Sequence, residues 1–182
     1  MKKFSSLKST SVLVAMVLGG LILTMGALNV FSADSGATVG QKAPAFDLPN
    51  LNGGSTLSLA QFKGEPVVVT FWATWCPPCR HEVPALKKIY KEYSSRGVKF
   101  ISVTLQYKQT KNDVTQFQKQ HALPYPVLWD ANNKVTYAYG VSAIPANFVI
   151  GPDGKIKYRS AQINTQFVNV LNKYAKPAEA SK

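Results

Sequence analysis

The chain has few of the residues that staple folds and hold metals. Cysteine occurs twice in 182 residues, histidine twice and methionine three times. Two cysteines cannot build the disulfide framework on which small exported domains rely. Stability must come from packing, for which an apolar content of 46% and an aromatic content of 11% are ample. A tetrahedral zinc site needs four ligands, and no second C-x-x-C or close histidine pair exists to complete one around Cys76 and Cys79. His81 stands two residues past Cys79, about 200° around a helix, and so faces away from the pair. Cuprous copper accepts soft thiolates, but neighbouring Met and His ligands are sparse, so a dithiol copper chaperone is only a minor alternative. No cofactor is expected. Acidic residues are scarce as well, 9 against 21 Lys and Arg, for a net charge of +12. A basic protein can address nucleic acid, but these lysines are dispersed and not interleaved with aromatics. They read as a solvated basic surface, with no nucleic-acid partner.

There is one long apolar run. Lys2, Lys3 and Lys8 precede a charge-free stretch from Val12 to Phe31. As a helix, roughly 20 residues reach about 30 Å, the thickness of a bilayer's hydrocarbon core. A cleaved signal has a shorter apolar region of roughly 7–15 residues, so the length favours an uncleaved anchor. Cleavage after Ser32 or Ala33 stays open, leaving Val30 or Phe31 at the −3 position. Either way, positive-inside logic places everything after residue 33 outside the cytoplasm, in contact with the membrane through the N-terminal segment. The expected organisation is a signal or anchor over 1–33, a small polar linker over 34–40, one domain over 41–176 and a tail over 177–182. Without the three leading lysines, 18 Lys and Arg still outnumber 9 Asp and Glu, a balance suited to anionic headgroups.

Within that domain the two cysteines stand three apart, in Trp75-Cys76-Pro77-Pro78-Cys79. The motif follows Pro66-Val-Val-Val-Thr-Phe-Trp72, which reads as a buried strand, and precedes a helical pattern from Arg80 onward. A sulfur at a helix N-terminus meets backbone N–H groups and the positive end of the macrodipole, which favour a thiolate. The second cysteine, one turn on, can close a ring with the first. The residues therefore lay out a reversible dithiol/disulfide centre. Neither Pro77 nor Pro78 has an N–H to offer the thiolate, which points to a reductant or mildly poised exchanger rather than a strong oxidant.

The rest of the chain alternates strands and helices. Ala45–Leu48 and Leu57–Leu59 flank Asn52-Gly53-Gly54, a hairpin signal. Val83, Leu86, Ile89, Tyr90 and Tyr93 share one face of the helix that Gly97 ends. A strand spans Val98–Leu105. Thr110 and Asp113 form a capping box for a helix through Val114, Phe117 and His121. Leu123–Asp130 is extended, and a short helix lies near Lys134–Tyr139. Strands at Ala146–Ile150 and Lys155–Arg159 join through Gly151-Pro-Asp-Gly154, and Ile163, Phe167, Val170, Leu171 and Tyr174 mark an amphipathic last helix. The pattern predicts an α/β domain, a mixed sheet covered on both faces.

Phe71-Trp-Ala-Thr-Trp-Cys-Pro-Pro-Cys79 with Glu82 and Pro84, and Val141-Ser-Ala-Ile-Pro145 running into Ala146–Ile150 and Gly-Pro-Asp-Gly, resemble the thioredoxin superfamily. The early hairpin and the insert around 106–139 are similar to its membrane-associated TlpA/ResA-like branch, extracytoplasmic thiol-disulfide oxidoreductases of which several serve cytochrome c maturation. The resemblance covers about residues 40–175. It implies a three-layer α/β/α fold with a mixed central sheet, an N-terminal β-hairpin and a central insert. It also implies that Cys76 is the exposed nucleophile, Cys79 the buried resolving thiol, and Pro145 a cis-proline facing them after Ile144. Trp75, Pro77 and Pro78 flank the sulfur, and with the Ile144–Pro145 backbone edge they would receive a substrate chain. Thr70 stands where cytoplasmic thioredoxins carry a buried Asp. It cannot take a proton from Cys79, so Glu82 becomes the expected base, half-buried below the pair with a raised pKa.

The implied partners are exported disulfide-containing proteins, apocytochrome c foremost, and a membrane thiol-disulfide electron donor. A general cell-envelope disulfide exchanger is the alternative. A peroxidase would need a proline and a threonine where Val69 and Ala73 stand, and is rejected.

Overall fold

The computed structural model describes residues 36–178, which lie in the compact unit Asp34–Lys182. The expected anchor over 1–33 and its cleavage site lie outside the described residues. Among the described residues, no helix is long and apolar enough to cross a membrane.

Five strands form the central sheet in the order β5-β4-β3-β6-β7. Here β3 is Val67–Trp72, β4 Lys99–Leu105, β5 Val127–Asp130, β6 Ala146–Ile150 and β7 Ile156–Ser160. The first three run parallel, while β6 and β7 are antiparallel additions. All six residues of β3 are buried, as a strand covered on both faces must be. Alternation splits them between two cores. Val68 and Trp72 join the face packed by α1 (Pro77–Tyr93), α2 (Lys111–His121) and α4 (Thr165–Tyr174); Val67, Val69 and Phe71 join the other, with Val135, Tyr139 and the N-terminal segment. Both parallel crossovers, through α1 and through α2, fall on the same face, as right-handed connections progressing one way across a sheet require.

Three local differences from the sequence expectation have simple causes. Helix α1 begins at Pro77 rather than Arg80, because a helix's first N–H groups have no intrahelical partner and proline loses nothing there. The early hairpin pairs only β1 (Asp47–Pro49) with β2 (Thr56–Ser58), as a separate two-stranded sheet, and its loop spans 50–55 instead of closing at Asn-Gly-Gly. Asn50 Oδ1 accepts from Asn52 N, and Asn52 Oδ1 accepts from Val127 N, so the loop is shaped by side-chain bonds that dock it on β5. Residues 36–40, expected as linker, lie against the domain. Ala37 is buried, its carbonyl accepts from Arg159 Nη1, and Gly40 N donates to Ile156 O.

Buried Asp130 closes β5. Its carboxylate accepts from Val135 N, Thr136 N and Thr136 Oγ1 at 2.7–3.1 Å, fixing the start of α3 (Lys134–Ala138) and so the path into the loop before β6. Asp130→Ala strands these donors away from water. It should cost about 3 kcal/mol of stability, measured as a lower urea midpoint with unchanged m-value.

Candidate active site

The site forms where β3 delivers its C-terminal end to α1. Cys76 is the helix N-cap, with extended backbone (φ −86°, ψ 107°), and its sulfur accepts from Cys79 N at 3.3 Å. An N-cap side chain reaches the N–H of the second or third helical residue. The second is Pro78, which has none, so Cys79 N is the one such donor. Cys76 and Cys79 are joined as a disulfide with Cα atoms 5.3 Å apart. The Ile144–Pro145 bond is cis, Pro145 is buried, and Ile144 O lies 3.7 Å from Cys76 Sγ.

One expectation needs correction. Cys76 is not exposed: its accessibility is 2%, against 4% for Cys79. The N-cap geometry turns its side chain back onto the first helical turn, where it meets the sulfur of Cys79 on one side and the Ile144 carbonyl on the other. The neighbours are what reach solvent: Trp75 at 41%, with Pro77, Pro78 and Arg80 exposed and Ile144 half-buried. Trp75 is held in place. Its Nε1 donates to Tyr107 O at 2.6 Å and its ring meets the exposed Tyr107 edge-on. Gln109 pins the same loop, accepting from both Thr74 N and Thr74 Oγ1 through Oε1 while Nε2 donates to Thr104 Oγ1 and Leu105 O. The insert thereby braces the active-site loop.

Below the disulfide is a cavity of about 20 Å³ lined by Cys79, Glu82, Thr70, Trp72, Ser102 and Pro145 among others. Trp72 Nε1 donates to Ser102 Oγ. Glu82, one helical turn past Cys79, is half-buried, and both its oxygens are held: Oε2 accepts from Asn147 Nδ2 at 3.1 Å and Oε1 from Ile163 N at 3.2 Å. Burial raises its pKa above 4.5, the two hydrogen bonds opposing that shift without cancelling it. The cavity thus places an acid with a raised pKa beside the inner sulfur.

Sequence reasoning missed Asn147, Gln109 and Tyr107. Asn147 left a trace, a lone amide inside the apolar run Ala-Asn-Phe-Val-Ile of β6. Gln109 and Tyr107 left none, since polar and aromatic residues are unremarkable in a loop. His81 is exposed, and His121 packs its ring on Phe117.

Comparison with known proteins follows the same line. The Redoxin family profile matches residues 38–174. The chain is 32% identical over 164 residues to the thiol-disulfide oxidoreductase ResA of Bacillus cereus (strain ATCC 10987 / NRS 248), covering 89% of this chain and 93% of that protein. It is 33% identical over 153 residues to ResA of Bacillus subtilis (strain 168), covering 84% of each. Among solved structures it resembles a putative thiol:disulfide interchange protein DsbE from Chlorobium tepidum, with TM-score 0.66, 27% identity, and coverage of 76% of this chain and 95% of that one.

A carboxyl whose pKa is higher folded than unfolded binds its proton more tightly in the native state, so its stabilisation is full below about 4.5 and falls as pH rises through the folded value. Glu82→Gln should therefore gain stability relative to the parent as pH climbs through that window. Urea midpoints of the two proteins at pH values from 4 to 8 should diverge upward for the variant; parallel curves would remove the buried acid.

Proposed function

Since the chain belongs to the Redoxin family, as a ResA-like thiol-disulfide oxidoreductase of the thioredoxin superfamily, we propose that it reduces disulfides of exported proteins outside the cytoplasm, apocytochrome c foremost. The observation that carries this reading is Glu82, half-buried on the same cavity as Cys79 and bound at both oxygens. A reductant's inner thiol must lose a proton to finish the reaction, and a carboxyl with a raised pKa is suited to receive it.

Reduced Cys76 attacks one sulfur of a partner disulfide. A Cys76–partner disulfide forms, and the partner's other sulfur leaves as thiolate. Glu82 takes the Cys79 proton, and the Cys79 thiolate attacks Cys76 Sγ. The second partner sulfur leaves with the electron pair of the broken bond. The proton Cys76 gave up to attack as thiolate and the one Glu82 hands back protonate the two released sulfurs, so two partner thiols and the Cys76–Cys79 disulfide result, and a membrane dithiol donor restores the reduced pair. Trp75, Pro77 and Pro78 form the exposed rim that a substrate chain meets, with the Ile144–Pro145 backbone beside it. Location outside the cytoplasm is supported by the basic, then charge-free, N-terminal sequence, which would also hold the protein at the membrane. A general cell-envelope exchanger is the second reading, favoured by a rim that is apolar and carries few specific charges.

Cys79→Ser leaves Cys76 unable to be resolved, so mixed disulfides should accumulate on Cys76. A trapped partner with a haem-binding C-x-x-C-H motif selects the first reading, and a scatter of unrelated exported proteins selects the second. Tight stoichiometric cuprous copper without insulin reduction would overturn both. Equilibration of the parent with glutathione should give a potential below roughly −180 mV, and a value near −120 mV would make the protein an oxidant.

A further inference from the structure

Asn147 is fully buried on β6, and its side chain is only half used. Nδ2 donates to Glu82 Oε2 at 3.1 Å, while Oδ1 is buried with no partner. Directly across the ladder, in register on β3, stands Thr70, whose hydroxyl is also buried and unpartnered, and which lines the Glu82 cavity. Opposed residues of an antiparallel pair hold their side chains on one face, with Cβ atoms about 5 Å apart. Two adjacent orphan groups in a buried site are a recurring cost of about 1–3 kcal/mol each. They sit beside the one acid of the site. The orientation of the amide follows from the charge it faces: a carboxylate has only lone pairs to offer, so nitrogen must be presented to it.

We propose that Asn147 is a positioning residue for Glu82, a two-position amide that follows the acid's proton. With Glu82 ionised, Nδ2 donates to the carboxylate and the carbonyl is idle. Once Glu82 has taken the Cys79 proton, its new O–H needs an acceptor. A half-turn of the amide presents Oδ1 to that hydrogen and turns Nδ2 away, toward the side on which β3 holds the Thr70 hydroxyl. Both charge states of Glu82 then have a matched partner, which suits an acid that must accept a proton and give it up in each cycle. The inference rests on Glu82 being the proton acceptor for Cys79.

The groups around the acid leave few competing causes. On α1, Cys79 is the titratable neighbour, with Arg80 and His81 exposed to solvent. The segment entering β5 contributes Tyr125, whose phenol burial holds far above neutrality. The residues of β3, β4 and the cis-proline loop that line the cavity are Thr70, Trp72, Ser102 and Pro145, none of which titrates near neutral pH. Ile163, ahead of α4, contributes a backbone N–H.

Carbon-13 NMR titration of the side-chain carboxyls, with the Glu82 signal identified by its loss in Glu82→Gln, tests the assignment. In Asn147→Leu the charged form loses a charge-assisted hydrogen bond and the neutral form only an ordinary one, so the difference should raise the Glu82 midpoint by about one pH unit. Asn147→Ser, smaller and polar, is the second variant should the leucine not fold. In the parent, the Asn147 side-chain amide resonances should titrate with the Glu82 midpoint and stay flat in Glu82→Gln. An unmoved Glu82 midpoint in both variants, or Asn147 resonances indifferent to the Glu82 titration, would overturn the proposal. The underlying reading fails separately: with Cys76→Ser leaving Cys79 as the single thiol, a Cys79 alkylation profile unchanged by Glu82→Gln would remove the proton acceptor, whatever Asn147 does.

Discussion

One half-buried carboxyl beneath a disulfide organises this site, and keeping it there takes three separate parts of the fold. Helix α1 carries Glu82 one turn past Cys79, β6 brings the amide of Asn147, and the segment before α4 brings the N–H of Ile163. A half-buried carboxyl without donors would be driven to the neutral form and would lose its use as a base, while one with too many donors would never accept a proton. Partial burial against two hydrogen bonds leaves the pKa raised, burial being the larger influence. The central sheet exists, from the site's point of view, to hold those three segments in register.

That register is legible from residues in unequal measure. Strand β3 announced itself because both faces are covered and every position is apolar or small; the three longer helices and the Gly151–Gly154 hairpin carried caps, spacings and turn residues. The dithiol was legible because only two cysteines exist and they stand one turn apart. Two kinds of feature were not. The shape of the 50–55 loop depends on Asn52 meeting Val127, 75 residues away, and no local pattern encodes such a bond. The burial of Cys76 is a property of the oxidised ring and of Ile144 packed against it, whereas the sequence specifies only a position at a helix start.

The insert does more than lengthen the sheet by one strand. Gln109 uses all its polar capacity on Thr74, Thr104 and Leu105, and Tyr107 accepts the indole N–H of Trp75. A loop of exposed residues beside the disulfide is thereby tied at several points. Whatever meets that rim finds it already ordered, with no loop to fix first.

Magnitudes decide how far the two prolines set the direction of electron flow. A charge-assisted hydrogen bond contributes about 1.5–3 kcal/mol, whereas the helix macrodipole contributes about 0.3–1 kcal/mol at an exposed terminus. Pro77 occupies a position whose N–H an N-cap sulfur does not normally use, so its effect on the thiolate is small. Pro78 removes a donor within reach, leaving Cys79 N at 3.3 Å. At about 1.4 kcal/mol per 30 mV for a two-electron couple, one lost donor shifts the potential by roughly 30–60 mV toward the reducing side. That exceeds the dipole's opposing pull but falls short of the span between strong oxidants and thioredoxins, about 150 mV. Pro78, at the mouth of the site, can thus lower the potential by part of that span and does not set it alone.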